Sequence, residues 1–252
     1  MSLLQADALA KRYGGVHAVD RVSFTVDAGE RVALIGPNGA GKTTCFNLIG
    51  GQIRPDAGRV LLGGTDITGD TPRALFRQGI GRTFQVAATF GSMTVIENVQ
   101  LALLAHDRHD LSPLGEARSA RFEAARTLLA DVGLAAEAAR PCAQLAYGDV
   151  KRLELAMALA NTPRLLLMDE PTAGMAPRER HDLMELVSGI SARRGLSVLF
   201  TEHDMDIVFG HADRILVLDR GRLIAQGAPE AVRRDPEVRR LYLGTTHDGA
   251  AA

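Results

Sequence analysis

The chain has no tryptophan, two cysteines and only three lysines (Lys11, Lys42 and Lys151) among its 252 residues. Two thiols, Cys45 and Cys142, cannot build a disulfide scaffold or a zinc framework, and such sparing use suits a reducing compartment. No apolar run approaches the 18 residues of a membrane span, and the N-terminus shows no signal-peptide pattern. The chain is therefore not expected to cross a membrane itself. Formal net charge is −1 and no basic tract occurs, so broad electrostatic binding to nucleic acid has no support. Charged residues at 23% and apolar residues at 46% are the balance expected of an ordinary soluble protein. At this length the chain can bury a substantial core, as one large domain or one domain carrying an insert.

One of the scarce lysines falls in residues 36–44, Gly-Pro-Asn-Gly-Ala-Gly-Lys-Thr-Thr, which fit G-x-x-x-x-G-K-[ST]. With so few lysines, a chance fit is on the order of a few per thousand, before its surroundings are counted. Those surroundings agree. Residues 31–35 (Arg-Val-Ala-Leu-Ile) read as a short buried strand, and residues 45–49 have the apolar spacing of a helix. Glycines let the backbone turn several N–H groups onto one anion, and the positive end of the helix adds to that field. Asn38, Gly39, Ala40, Gly41, Lys42, Thr43 and Thr44 are thus the expected phosphate-binding residues. Lys42 would reach the β- and γ-phosphates, and the Thr43 hydroxyl would bind Mg²⁺.

The remainder alternates strands with helices. Residues 3–9, 19–26, 59–62 and 80–84 read as strands, with turns at Gly14-Gly15, Ala28-Gly29 and Gly63-Gly64. Thr71-Pro72 opens a helix. Beyond Gln85 the character changes, and residues 94–160 are rich in Ala, Leu and Arg. Thr94 caps a helix over 95–105 with Glu97 at the capping-box position. A loop over 106–112 precedes a helix over 113–132, whose apolar stripe runs through Phe122, Ala125, Leu128, Leu129 and Val132. The core resumes with the apolar strand 164–168, a helix over 177–193, and strands over 197–201, 214–218 and 223–226. The tail from Gly249 is expected to be disordered.

Several residues outside the loop are candidates for chemistry. Asp169 and Glu170 end an apolar strand, where open parallel sheets bind ligands. Asp169 would hold the Mg²⁺ shell, and Glu170 would orient and deprotonate an attacking water. Gln85 is either a solvated strand end or a contact to Mg²⁺ and that water. His203 is either structural or a hydrogen-bond partner of the γ-phosphate. Tyr13 either caps a core or stacks its ring on adenine. Residues 145–149 (Leu-Ala-Tyr-Gly-Asp) open a helix and offer a second backbone anion site, apart from the loop at 36–44. Two such sites make sense if ATP lies between two copies of the chain.

Taken in order, these segments resemble the ATP-binding subunit of ABC transporters across essentially the whole chain. The Walker A loop corresponds to 36–44, the Q-loop to Gln85, the signature to 145–149, Walker B to 165–169 with Glu170, and the switch histidine to His203. Residues 81–85, 93–98, 145–149 with 151–155, and 242–244 are similar to the branched-chain amino acid importers of the LivG type. The resemblance implies a P-loop NTPase (RecA-like) α/β core over 1–87 and 157–252, with an N-terminal antiparallel β subdomain. Residues 88–156 would be an inserted α-helical subdomain that meets the permease. It further implies an ATPase using ATP and Mg²⁺ that works with a second ABC cassette (a copy or a sister subunit), integral-membrane permease subunits and, indirectly, a solute-binding protein. Glu170, His203 and Gln85 would be catalytic, Thr43, Gln85 and Asp169 would hold the metal, and Ala146, Tyr147 and Gly148 would reach ATP on the second cassette. The location would be peripheral, on the cytoplasmic face of the membrane. Two departures stand out: Ala146 replaces the signature serine, and residues 173–176 end in Ala176 where the family has an acid. Both read as marks of the subtype. The competing readings are the same cassette serving urea, amides or lipid, a soluble ABC-type ATPase acting on ribosomes or DNA, and a P-loop kinase. The last two lack the second cassette, coiled coil, basic tract or lid they require.

Overall fold

The computed structural model describes residues 2–83, 89–106 and 115–242. Gln85, residues 107–112 of the loop expected over 106–112, the helix start at Pro113 and the tail lie outside them, as do Leu243 and Gly244; His106 of that loop instead ends a helix.

The chain opens with two twelve-residue strands, β1 (Ser2–Tyr13) and β2 (Val16–Asp27), then β3 (Arg31–Ile35) and helix α1 (Lys42–Ile49). β4 (Ala57–Leu62), β5 (Thr65–Asp66), α2 (Pro72–Arg77) and β6 (Ile80–Thr83) follow. Three helices come next, α3 (Val95–His106), α4 (Gly115–Asp131) and α5 (Tyr147–Ala158). The chain then runs through β7 (Leu165–Asp169), α6 (Pro177–Arg194), β8 (Ser197–Thr201), α7 (Met205–His211), β9 (Arg214–Asp219) and β10 (Arg222–Gly227). α8 (Pro229–Arg234) and α9 (Pro236–Tyr242) end the described part.

Two sheets result. An antiparallel one has the order β2-β1-β4-β5, and a six-stranded one the order β10-β9-β3-β8-β7-β6. In the second, β6, β7, β8, β3 and β9 are parallel neighbours and β10 returns antiparallel at the edge. Side chains alternate across the central strands, as a period of two requires. Val32, Leu34, Leu165, Leu167 and Leu199 join the core shared with α1 and the antiparallel sheet. Ala33, Ile35, Leu166, Met168 and Phe200 join the core on the opposite face, with α6 and α7. Val95, Val99, Leu129 and Leu153 of the three middle helices belong to that second cluster, α3 and α4 packing on each other and on α5, and α5 reaching β6. A central strand buried on both faces is why these stretches read as unbroken apolar runs.

Local signals explain the element ends. Thr71 caps α2 through its hydroxyl, which accepts the Ala74 N–H at 3.3 Å. Glu97 accepts the Thr94 N–H at 2.8 Å, closing the expected capping box. One expectation fails: Phe122 lies 43% exposed, while Ala125, Leu128, Leu129 and Val132 are buried. A stripe of helical period continues past the point where neighbouring elements stop covering it, and periodicity alone does not mark that edge.

Glu30, in the turn between β2 and β3, fastens the two sheets' junction to β9. Its carboxylate accepts from Arg214 Nε at 2.7 Å and from the Asp27 N–H at 2.8 Å. Burial pushes the Glu30 pKa up, but the Arg214 and Asp27 hydrogen bonds outweigh it and hold the carboxyl below its ordinary value. A carboxylate with a depressed folded-state pKa stabilises above its unfolded pKa and loses that contribution as pH falls through the folded value. Glu30→Gln is therefore expected to cost about 1–2 kcal/mol at neutral pH in chemical denaturation. The gap to wild type should narrow on acidification.

Candidate active site

The phosphate loop sits where β3 leaves the sheet. Gly41 is the N-cap of α1 at φ 101°, left-handed backbone that only glycine adopts without strain. A Cβ there would also run into the Ala18 carbonyl oxygen, so β2 braces the loop from outside. The β9–β10 turn braces it too: the Gly221 N–H donates to the Ala40 carbonyl at 2.9 Å, and the Asp20 N–H donates to the Gly221 carbonyl at 2.8 Å. Asn38, Gly39 and Thr43 are exposed, while Ala40 and Lys42 are buried. Lys42 Nζ donates to the Gly36 carbonyl at 2.6 Å and to that of Pro37 at 3.3 Å. Burial lowers the Lys42 pKa, against the opposing pull of Glu170 and Asp169.

Strand β7 ends on the two acids, Asp169 as its last residue and Glu170 immediately after it. Asp169 is buried and accepts the Thr201 hydroxyl at 2.7 Å, with Arg82 Nη2 at 4.0 Å. Glu170 turns out of the strand at φ +48° and faces His203, whose Nε2 lies 2.9 Å from Glu170 Oε1. Residues 38–44, Glu170 and His203 line one cavity of about 420 Å³. That size lies within the range of small-molecule sites. Segments far apart in sequence thus meet at the carboxyl edge of the parallel sheet.

A nucleotide fits this arrangement. The loop presents its backbone, the α1 N-terminus adds positive potential, and a buried lysine lies beside it. For a metal, the Thr43 hydroxyl and the Asp169 carboxylate supply hard oxygen donors of the kind Mg²⁺ takes along with phosphate oxygens.

Other expected residues lie apart from that cavity. Tyr13 ends β1 and is 52% exposed, with Lys11 Nζ 5.9 Å from its ring centre. Ala146 is the N-cap of α5 and makes no side-chain cap, leaving the first N–H groups of that helix unclaimed by a capping side chain. Tyr147 and Gly148 begin α5, and the Tyr147 hydroxyl donates to the Ala173 carbonyl at 3.1 Å within the same chain. None of Ala146, Tyr147 and Gly148 lines the loop's cavity. Sequence reasoning missed Val16, His17, Ala18 and Arg220, which do line it. They come from two hairpins far from the loop in sequence, and only the order of strands in the sheets brings them there.

A larger, mostly apolar cavity of about 600 Å³ lies elsewhere, between α2 and β6 on one side and α3 and α5 on the other. It contains none of the phosphate-loop residues.

Comparison with known proteins gives concordant matches. The family model described as "ABC transporter" matches residues 19–173, and the model "Branched-chain amino acid ATP-binding cassette transporter" matches residues 222–248. The chain is 39% identical to the high-affinity branched-chain amino acid transport ATP-binding protein LivG of Escherichia coli (strain K12), covering 96% of this chain and 98% of that protein. It superposes on the ADP conformation of MJ1267, an ATP-binding cassette of an ABC transporter, with a TM-score of 0.86 at 34% identity, over 97% of this chain and 99% of that one. A dimeric post-hydrolysis structure of the cassette MJ0796 bound to ADP and Pi matches with a TM-score of 0.77 at 28% identity, over 90% and 98% of the two chains.

Proposed function

Because this chain belongs to the ATP-binding subunits of ABC transporters, we propose that it hydrolyses ATP to power uptake of branched-chain or related hydrophobic amino acids. The observation that carries the catalytic reading is the Glu170–His203 pair facing the Lys42 loop across one cavity. The C-terminal match to the branched-chain cassette model supports the choice of solute.

The residues divide the work as follows. Backbone N–H groups of 39–44 and the α1 N-terminus hold the β- and γ-phosphates. The Lys42 ammonium exchanges its Gly36 and Pro37 carbonyl partners for phosphate oxygens, where its charge offsets the charge that develops on the leaving group. Glu170 accepts a proton from the water attacking the γ-phosphorus. A bond forms from that oxygen to phosphorus as the bond to the bridging β,γ-oxygen breaks, and ADP departs with the electron pair. His203 orients Glu170 and donates to the γ-phosphate. Thr43, Asp169 and Gln85 would hold Mg²⁺, which when bound would supply charge neutralisation at the phosphates. Tyr13 stacks on adenine.

Two cassettes meet head to tail in this reading, with Ala146, Tyr147 and Gly148 of one closing over the nucleotide of the other through backbone N–H groups. The partner cassette is a second copy or a sister subunit. Residues 88–156 form the helical subdomain that contacts the permease, and the apolar cavity between α2–β6 and α3–α5 is the seat for a permease segment. Thr83, two residues before Gln85 in sequence, lines that cavity. The subunit is peripheral, on the cytoplasmic face of the membrane, and a solute-binding protein supplies the cargo. Among the described residues no helix is long and apolar enough to cross a membrane.

Deleting the gene is expected to abolish high-affinity uptake of at least one branched-chain amino acid, measured with radiolabelled solutes. Normal uptake across that class, with loss for a urea, amide or lipid substrate, would reassign the cargo and leave the ATPase intact.

A further inference from the structure

Thr201 ends β8 with no exposed surface. It sits opposite Asp169 in the parallel ladder between β7 and β8. Its hydroxyl has two partners, and both belong to the acids at the end of β7. It donates to Asp169 Oδ1 at 2.7 Å and accepts the Glu170 N–H at 3.0 Å. The same N–H reaches the Thr201 carbonyl at the longer distance of 3.2 Å.

Glu170 is one of few non-glycine residues here with positive φ, a conformation that persists only where its surroundings hold it. A threonine that merely filled a strand position would be content with the ladder, since its branched side chain packs well in a sheet. This hydroxyl instead ties the carboxylate on the metal side to the backbone of the acid on the water side. Thr172 is fastened in the same direction, its hydroxyl donating to Glu202 at 2.6 Å. That bond steadies the segment after Glu170 but touches neither acid.

We propose that Thr201 is a positioning residue for hydrolysis, whose hydroxyl sets Asp169 and Glu170 in one fixed relation. This rests on the reading of Asp169 as metal ligand and Glu170 as base given above. Removing the hydroxyl frees the Asp169 carboxylate to rotate and loosens the strained turn at Glu170. Partners that orient metal ligands typically carry 10–100-fold in metal affinity or activity.

The test compares wild type with Thr201→Val, which keeps the shape without the hydroxyl, and Thr201→Ser, which keeps the hydroxyl. Two readouts are taken on the purified chain: binding of a fluorescent ATP analogue with Mg²⁺ and with EDTA, and ATP turnover. Thr201→Val is expected to bind the analogue in EDTA within about twofold of wild type, while the gain in affinity from Mg²⁺ falls about tenfold. Its kcat should fall about 10–100-fold with little change in KM, and Thr201→Ser should recover both to within about threefold. If Thr201→Val fails to fold, Thr201→Ser and Thr201→Ala decide the matter, because they share the lost methyl and differ only in the hydroxyl. Wild-type Mg²⁺ dependence in Thr201→Val, or an equal defect in Thr201→Ser, would overturn the proposal. A Glu170→Gln control separates the two levels. If that variant keeps wild-type turnover, the parent reading fails; if it is inactive while Thr201→Val is normal, only the role of Thr201 fails.

Discussion

Glu170→Gln should leave a chain that binds ATP and holds a second cassette, yet hydrolyses about 10²–10⁴-fold more slowly than wild type. Glutamine keeps the size of the side chain and can still hydrogen-bond His203, but it cannot take a proton from water. The phosphate loop, the buried Lys42 and the brace from Gly221 are untouched by the change, so nucleotide affinity should stay near wild type. With chemistry blocked, the ATP-bound pair of cassettes should accumulate. Steady-state phosphate release and size-exclusion chromatography in ATP check both halves. Turnover equal to wild type would remove Glu170 from the mechanism.

Gly41→Ala should be the most damaging single-methyl change in the site. The added carbon meets the Ala18 carbonyl, which belongs to a strand and cannot swing aside, and the backbone stands at φ +101°. Strain at positive φ and overpacking each cost on the order of 1–3 kcal/mol, giving roughly 2–6 kcal/mol together. For a chain of this size that is a fall in Tm of roughly 4–24 °C. ATP binding should be lost as well, because relieving the clash moves the N-terminus of α1. Gly39→Ala is the control. Its φ is +80°, but nothing lies within 4 Å of the added carbon, so only the conformational cost remains, about 1 kcal/mol or slightly more. Differential scanning fluorimetry with ATP titration measures both variants. Equal losses would mean that backbone strain governs the loop and the Ala18 contact does not.

How far the sequence could be read depended on how local each signal was. The step from β3 through the loop into α1 is specified by adjacent residues, and its expected strand bounds match the structure residue for residue. The Thr94–Glu97 box and the Thr71 cap are equally local. Strand β1 runs on to Tyr13, well past the apolar stretch that marked it, because register shifts against β2 and β4 let polar residues such as Lys11 and Arg12 stay in the ladder. Asp169 and Glu170 were recognisable as strand-end acids. Their different surroundings were not, since the buried hydroxyl of Thr201 and the ring of His203 come from over thirty residues away. Arg220 and Val16 reach the cavity only because two hairpins pack against the loop, and nothing in their own neighbourhoods marks them. Tyr147 drew attention as a contact toward a second chain. That its hydroxyl also holds the Ala173 carbonyl follows from the packing of α5 against the segment after β7, which no motif encodes.

Cys45, one residue past the end of the phosphate loop, has its thiol pushed up to about 12 by complete burial. Such a thiol is protonated at neutral pH and sheltered from reagents, so it reacts only in the moments when α1 lifts from the sheet. The rate at which an alkylating agent consumes it is then a clock for the breathing of the loop. ATP, by holding the N-terminus of that helix, would slow the clock, and the protein thereby carries a native reporter of its own nucleotide occupancy.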